Sequence, residues 1–402
     1  MKKFLALLLA AVLLIMVLAG CGGSKSEEAE APAETTEETT EDTQETQDVE
    51  EAEDSEEAEA SEDTADSGEK PYIAVISKGF QHQFWQVVLK GAEDAAKEYN
   101  VEITFEGPPS ESDISEQVDM LNNALSKNPD AICLAALDTE SVLSQLEEAK
   151  KRGIPVIGFD SGVPNAPEGS IVSTAATNNY EAGRLAAEEM FNHPEFNEKL
   201  KAATADNPVA IAVQSQDATS ASILDRTNGF IDAMVEMCEE LFPGGVEVVG
   251  HDVFKRPAEG DVVVSIKVTI PPSSSYTDAQ AAAQTMLSNT KNLIGYYMTN
   301  EASVTGVLAA TSDGTDFDRE NGKYKDIVAI GFDAGSTQKN AVANQYFYGS
   351  VTQDPYMIGY KAIEIAYKVI NGEEVEEVVD TGAKFYTHEN MNDEDIAPLL
   401  YD

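Results

Sequence analysis

The residues able to do chemistry in this chain gather at the ends of apolar, β-branched runs. Asp138-Thr139 follows the run 131–137, Asp160-Ser161-Gly162 the run 154–159, and Thr299-Asn300-Glu301 the run 293–298. Asp333-Ala334-Gly335 and Gln353-Asp354-Pro355 close two later runs in the same way. The first run, Tyr72–Ile76, leads into Ser77, Lys78 and Gly79, then a polar loop with His82, then Phe84 and Trp85. Each polar residue taken singly is also a helix N-cap or turn former. Together they offer carboxylates that accept from adjacent hydroxyls, amides that both donate and accept, and rings that cover an apolar face. That combination suits a sugar or another polyol. There is no P-loop and no GxSxG, and His82, His193, His251 and His388 show no metal-ligand spacing. Cys21, Cys133 and Cys238 form neither a disulfide framework nor a zinc pattern; the last two read as small buried hydrophobes. No metal and no cofactor are expected. The acids of 313–320 read as a solvated loop, since the glycine and the terminal bidentate acid of a calcium loop are missing.

The elements that must position these residues follow from periodicity. Strands are predicted at 72–76, 101–105, 131–137 and 154–159, with helices near 84–99, 112–127 and 139–152 between them. Their spacing is that of βαβ units around a parallel sheet. A second series runs from a helix at 179–192 to one at 356–371, with strands at 208–213, 246–250, 293–298, 326–331 and 347–352. Segment 253–272 reads as an extra strand or hairpin. So many strands exceed one small sheet, and the fold class is α/β with two doubly wound parallel-sheet lobes. In such sheets ligands bind outside the carboxyl ends of the strands, where the polar residues lie.

Composition sets the boundaries. The chain has 402 residues and a formal net charge of −47, from 73 acids against 26 bases, which argues against a nucleic-acid partner. About 21 of the acids fall between Gly22 and Lys70, a block with almost no large apolar side chains, expected to be disordered. Residues 1–20 read as a signal peptide: Lys2 and Lys3, an apolar run to Leu18, then small residues. Leu18-Ala19-Gly20-Cys21 resembles the lipobox of bacterial lipoproteins, which implies a lipid on Cys21 and makes 21–70 a tether.

From about Tyr72 onward the chain resembles the type I periplasmic sugar-binding proteins, the ribose-binding-like group that serves ABC transporters. The resemblance lies in VISKGFQHQFWQVVLKGA, KNPDAICLAALDTESV, GIPVIGFDSGV, TNNYEAGRLAA, ATSASILDRTNGF, YMTNEASVTGVL, VAIGFDAGS and GSVTQDPYMIGYKA, in that order. It implies lobes joined by a three-segment hinge, 71–177 with 354–378 and 178–353 with 379–402. It implies ligand contacts from His82, Phe84, Trp85, Asp160, Arg226, Asn300, Asp333 and Gln353. Two positions depart from the pattern. Ser161 stands where an arginine is frequent, and Ala135 where some members have an asparagine, which leaves Asp138 to serve. A second-lobe aromatic has no clear match, although Tyr276 is nearby. The implied protein is a monomeric, lipid-anchored solute receptor on the extracytoplasmic face of the cell membrane. It binds a small polar ligand and docks on ABC permease subunits, and it is not an enzyme. The alternatives are a ligand sensor for a signalling partner and a glycoside hydrolase using Asp160 and Asp333, which lacks a recognisable base–nucleophile pair.

Overall fold

The computed structural model describes residues 70–401. The signal segment, Cys21 and the acidic stretch to Glu69 lie outside the described residues. No described helix is long and apolar enough to cross a membrane.

The chain begins with strand β1 (Tyr72–Ile76), helix α1 (Gln83–Glu98), β2 (Glu102–Glu106), α2 (Ile114–Lys127) and β3 (Ala131–Leu134). There follow α3 (Leu143–Arg152), β4 (Val156–Phe159) and β5 (Ser173–Ala176). A second series holds α4 (Asn179–Asn192), α5 (Pro194–Lys201), β6 (Val209–Gln214), α6 (Ala221–Leu241), β7 (Val246–Val249) and β8 (Val264–Thr269). It continues with α7 (Tyr276–Asn289), β9 (Leu293–Met298), α8 (Glu301–Ala310), β10 (Val328–Phe332), α9 (Ser336–Ala343) and β11 (Gly349–Gln353). The chain ends with α10 (Pro355–Ile370), β12 (Val378–Asp380) and β13 (Ala383–Thr387).

Two sheets result. The first runs β12-β5-β4-β3-β1-β2, all parallel. The second runs β13-β11-β10-β9-β6-β8-β7, parallel except for β13 at its edge. The chain passes between the sheets three times: after β5, between β11 and α10, and between β12 and β13. The boundary expected at 378/379 falls inside β12, so the third passage lies two residues later, at Thr381 and Gly382.

Both sheets are covered on both faces, and the central strands are accordingly apolar throughout. In the first lobe Leu121, Leu125 and Leu146 cover Ile132 and Val156 on one face. Val88, Ile358 and Ile363 cover Val75, Cys133 and Ile157 on the other. Burial pushes the Cys133 thiol up and takes Cys238 to about 12, as befits inert core cysteines. Close helix crossings lock each lobe. A β-carbon on Gly359 would lie 1.9 Å from the Val88 carbonyl oxygen, and one on Gly91 2.0 Å from that of Tyr356. Only glycine lets α1 and α10 approach this closely.

Four elements escaped the sequence reading. β5, Ser-Thr-Ala-Ala, has too little side chain to show a strand pattern, yet it lies inside its sheet, between β12 and β4. α5, β12 and β13 are short. The 253–272 segment holds no hairpin: β8 is an interior strand, parallel to β6 and β7. The helix expected from 139 starts only at Leu143, because the Asp138 carboxylate takes the Glu140 and Ser141 N–H groups into a turn.

Candidate functional site

The carboxyl ends of the two sheets converge on one small buried space. Lys78, His82, Phe84, Trp85, Glu111 and Asp160 line it from the first lobe. Ile223, Arg226, Asn300, Asp333 and Gln353 line it from the second. Its volume is about 20 Å³, room for a single water. A larger cavity of about 420 Å³ lies by His193, Arg319 and the starts of β10 and β11, at the opposite ends of the strands. The smaller space is the better candidate because buried charges of both signs meet there.

The two lobes contribute the same device. Each carries Gly-Phe-Asp at a strand end, and each aspartate takes the left-handed conformation, φ 56° at Asp160 and 79° at Asp333. The Asp160 N–H still donates to the Ala175 carbonyl at 3.0 Å, and the Asp333 N–H to that of Val351 at 2.7 Å. The strained residue thus stays tied to the neighbouring strand while its side chain turns into the cleft. Strain of this kind gathers where function requires a fixed geometry. Asp160 pairs with Lys78 Nζ at 2.9 Å. Asp333 accepts from Gln353 Nε2 at 2.8 Å and from the Glu301 N–H at 3.0 Å. Burial holds the Asp333 carboxyl above the ordinary carboxylate range, against the pull of Arg226.

Around this pair lies a polar network that joins the lobes. Lys78 Nζ also donates to Ser222 Oγ at 3.1 Å. Burial opposes the lysine's charge, but Asp160 and Glu111 outweigh it and hold its pKa above the usual value. Glu111 accepts from Trp85 Nε1 at 2.8 Å and from Gln216 Nε2 at 2.9 Å. His82 Nε2 stands 3.4 Å from the same carboxylate. Burial raises the Glu111 pKa, yet His82, Lys78 and these donors leave it below the ordinary glutamate range. Gln216 Oε1 in turn accepts from Asn300 Nδ2. Arg226, 3 % exposed, donates to Asn179 Oδ1 at 2.8 Å and to the Thr299 carbonyl at 3.2 Å, and its guanidinium lies 3.9 Å over the Phe332 ring. Glu301 of the second lobe accepts the Gln83 and Phe84 N–H groups at 3.2 and 3.4 Å. It caps α1, whose own N-cap residue His82 makes no side-chain cap. Burial raises the Glu301 carboxyl.

The expected site residues fare unequally. His82, Phe84, Trp85, Asp160, Arg226, Asn300, Asp333 and Gln353 all line the space. Asn300 also caps α8 through the Ser303 N–H, so cap and site roles coexist in one side chain. Asp138 stands outside, its carboxylate spent on the turn before α3. Ser161 is one step removed: its Oγ accepts the Ser222 N–H at 3.3 Å across the cleft. Phe84 and Trp85 do not offer two parallel faces for stacking. Trp85 is 1 % exposed and edge-on to Phe84 (5.1 Å between centroids, 88°) and to Phe159 (6.2 Å, 89°). Tyr276 reaches across to donate to the Gln81 carbonyl at 2.9 Å but does not line the space. At 313–320 the Asp318 carboxylate accepts the Glu320 and Asn321 N–H groups in a turn. Lys78 and Glu111 also line the space, and Gln216 and Glu301 join its network, although the resemblance points to none of the four as a ligand contact. Lys78 and Gln216 lie just past strand ends, where the same positional rule finds them. Glu111 sits in a Pro-Ser loop that carries no signal of its role.

Comparison with known proteins agrees with this geometry. The model of the periplasmic binding protein domain matches residues 73–374. A solved structure from Brachyspira murdochii, described as an "ABC transporter, LacI family transcriptional regulator", is 36% identical, with a TM-score of 0.67 over 83% of this chain and 99% of that one. An ABC transporter solute-binding protein from Agrobacterium vitis with bound D-fucose is 27% identical, with a TM-score of 0.67 over 82% of this chain and 100% of that one. The D-allose-binding periplasmic protein of Escherichia coli (strain K12) is 22% identical over 296 residues, 73% of this chain and 82% of that protein.

Proposed function

Because this chain belongs to the periplasmic binding protein domain family, we propose that it captures a sugar between its lobes and delivers it to an ABC importer. The observation that carries the reading is the meeting of Asp160 and Asp333, from equivalent strand ends of opposite lobes, with Arg226, Asn300 and Gln353 about one buried space. Carboxylates, amides and a guanidinium together satisfy vicinal hydroxyls in both directions. The relatives' ligands, D-fucose and D-allose, support the sugar class. The bonds Lys78–Ser222, Glu111–Gln216 and Glu301 to the α1 N–H groups all cross the cleft. The structure is therefore a closed arrangement, and a sugar enters when the lobes part about the three passages. No bond of the ligand is broken: capture, closure and hand-over to permease subunits are the whole mechanism.

In this reading the signal is removed before Cys21, the cysteine carries the lipid, and residues 22–70 tether a monomeric receptor to the extracytoplasmic face of the membrane. The test is a melting-temperature screen of the purified protein against a sugar panel, followed by calorimetry. A saturable shift with one sugar is expected, abolished or weakened in Asp160→Ala. A panel without effect, alongside a shift by a non-carbohydrate solute, overturns the sugar assignment. Retention of Cys21→Ser in the membrane fraction, normally processed, overturns the anchor.

A further inference from the structure

We infer that the ligand is a neutral glycoside, a sugar ring carrying a second sugar or polyol group, and that a groove beside the cleft receives that group; the inference rests on the sugar-binding reading above. The groove encloses about 460 Å³. The loop following β4, strand β5, and the starts of α4, α6 and β12 wall it. Asp160 lines both the central space and the groove. Ser222 lines the groove, and the Lys78 ammonium bonds both residues, at 2.9 and 3.1 Å. At this seam the bridge from Asp160 to Ser222 is thus a side chain, not backbone.

Size and chemistry then point one way. The central space, about 20 Å³, admits a ring only if Lys78 swings aside or the lobes part. Parting of the lobes breaks both the Lys78 bridge and the bond from the Ser222 N–H to Ser161 Oγ, and opens the space toward the groove. Val163, Pro164 and Ile171 give the groove an apolar face. Ser173, which also lines it, has a buried hydroxyl without a partner, a vacancy suited to a ligand hydroxyl. Among the described residues the charged groups lining the groove are all acids: Asp160, Glu168, Asp225 and Glu377. A phosphate or carboxylate substituent meets repulsion from these four acids, whereas a neutral hydroxylated group meets acceptors and an apolar wall.

The test is calorimetry on the full-length protein with D-glucose, D-galactose, D-ribose and D-xylose, then with cellobiose, lactose, xylobiose, the methyl glycosides and glucose 6-phosphate. A disaccharide or glycoside is expected to bind roughly tenfold or more tightly than its parent monosaccharide, and the phosphate not at all. Gly162→Leu fills the groove from the loop. A β-carbon there meets Thr174 Cγ2 at 3.6 Å, an ordinary contact, and the melting temperature of the variant checks that the fold accepts the longer side chain. It is expected to remove the glycoside advantage and leave monosaccharide affinity unchanged. Ser173→Ala, which keeps the fold by shape, is expected to lower glycoside affinity alone. Monosaccharides binding as tightly as their glycosides, or Gly162→Leu and Ser173→Ala acting equally on both classes, overturns the inference while the sugar reading stands. Binding of no carbohydrate at all overturns both, a distinct result.

Discussion

Glu301→Ala isolates what closure is worth. The Glu301 carboxylate reaches from the second lobe to the first two N–H groups of α1. Those groups have no partner within their own helix, as at any helix start. With the lobes apart they turn to water, so the substitution acts on the closed state alone. Loss of an N-cap acceptor costs about 0.5–2 kcal/mol. The bonds here are long, at 3.2 and 3.4 Å, and burial penalises the carboxylate itself, which places the net effect near the low end. About 1 kcal/mol off closure weakens ligand affinity roughly fivefold. Calorimetry with the identified sugar reads the affinity, and small-angle scattering reads the open fraction without ligand. Affinity and open fraction should move together. A variant with unchanged or tighter binding, or one with weaker binding and no gain in the open fraction, refutes the reasoning that the cap belongs to closure.

Four further outcomes follow from the same residues. Trp85→Phe keeps the edge contacts but removes the 2.8 Å bond to Glu111; the loss should be about 1.5–3 kcal/mol, read in urea unfolding, and a wild-type midpoint refutes it. As Trp85 is the chain's single tryptophan and fully buried, wild-type emission should be blue-shifted before ligand is added. Arg226→Ala strips the cation nearest the buried Asp333 carboxylate and should destabilise the fold by about 3–5 kcal/mol as well as weaken binding; a purely binding defect contradicts the packing described. The lowered Glu111 pKa stabilises the fold above the ordinary glutamate value of about 4.3, and that contribution is lost as pH falls through the lower folded value. The raised Asp333 and Glu301 carboxyls act in reverse, since acid relieves their burial. Glu111→Gln should therefore lose less melting temperature than wild type between about pH 6 and pH 3; an equal or greater loss counts against the assignment.

The lobes were legible because their strands are buried on both faces and so read as short apolar runs separated by helical periods. What escaped, β5, β12 and β13, has small or half-exposed side chains and is held by its neighbours rather than by its own pattern. The site was legible where it follows a positional rule. Asp160, Asn300, Asp333 and Gln353 all come directly after apolar runs. The same rule misassigned Asp138, because a short side chain at a strand end can also close the turn beside it, and only tertiary geometry decides between the two. Glu111 and Glu301 act across the cleft on residues more than one hundred and two hundred positions away, Gln216 and Gln83, a relation no local pattern expresses.

The placement of α10 has a consequence for how the chain is made. The helix belongs to the first lobe, where Gly359 rests on the Val88 carbonyl and Ile358 and Ile363 seal the same face of the sheet. Yet it is encoded after the whole second lobe. A nascent chain that has emerged only as far as β11 has no cover for α1, and the first lobe cannot close its interior. The half translated first is thus finished only after the second lobe has been made. For a polypeptide that crosses a membrane before it works, that delay keeps the early segments unlocked and threadable until α10 has been made.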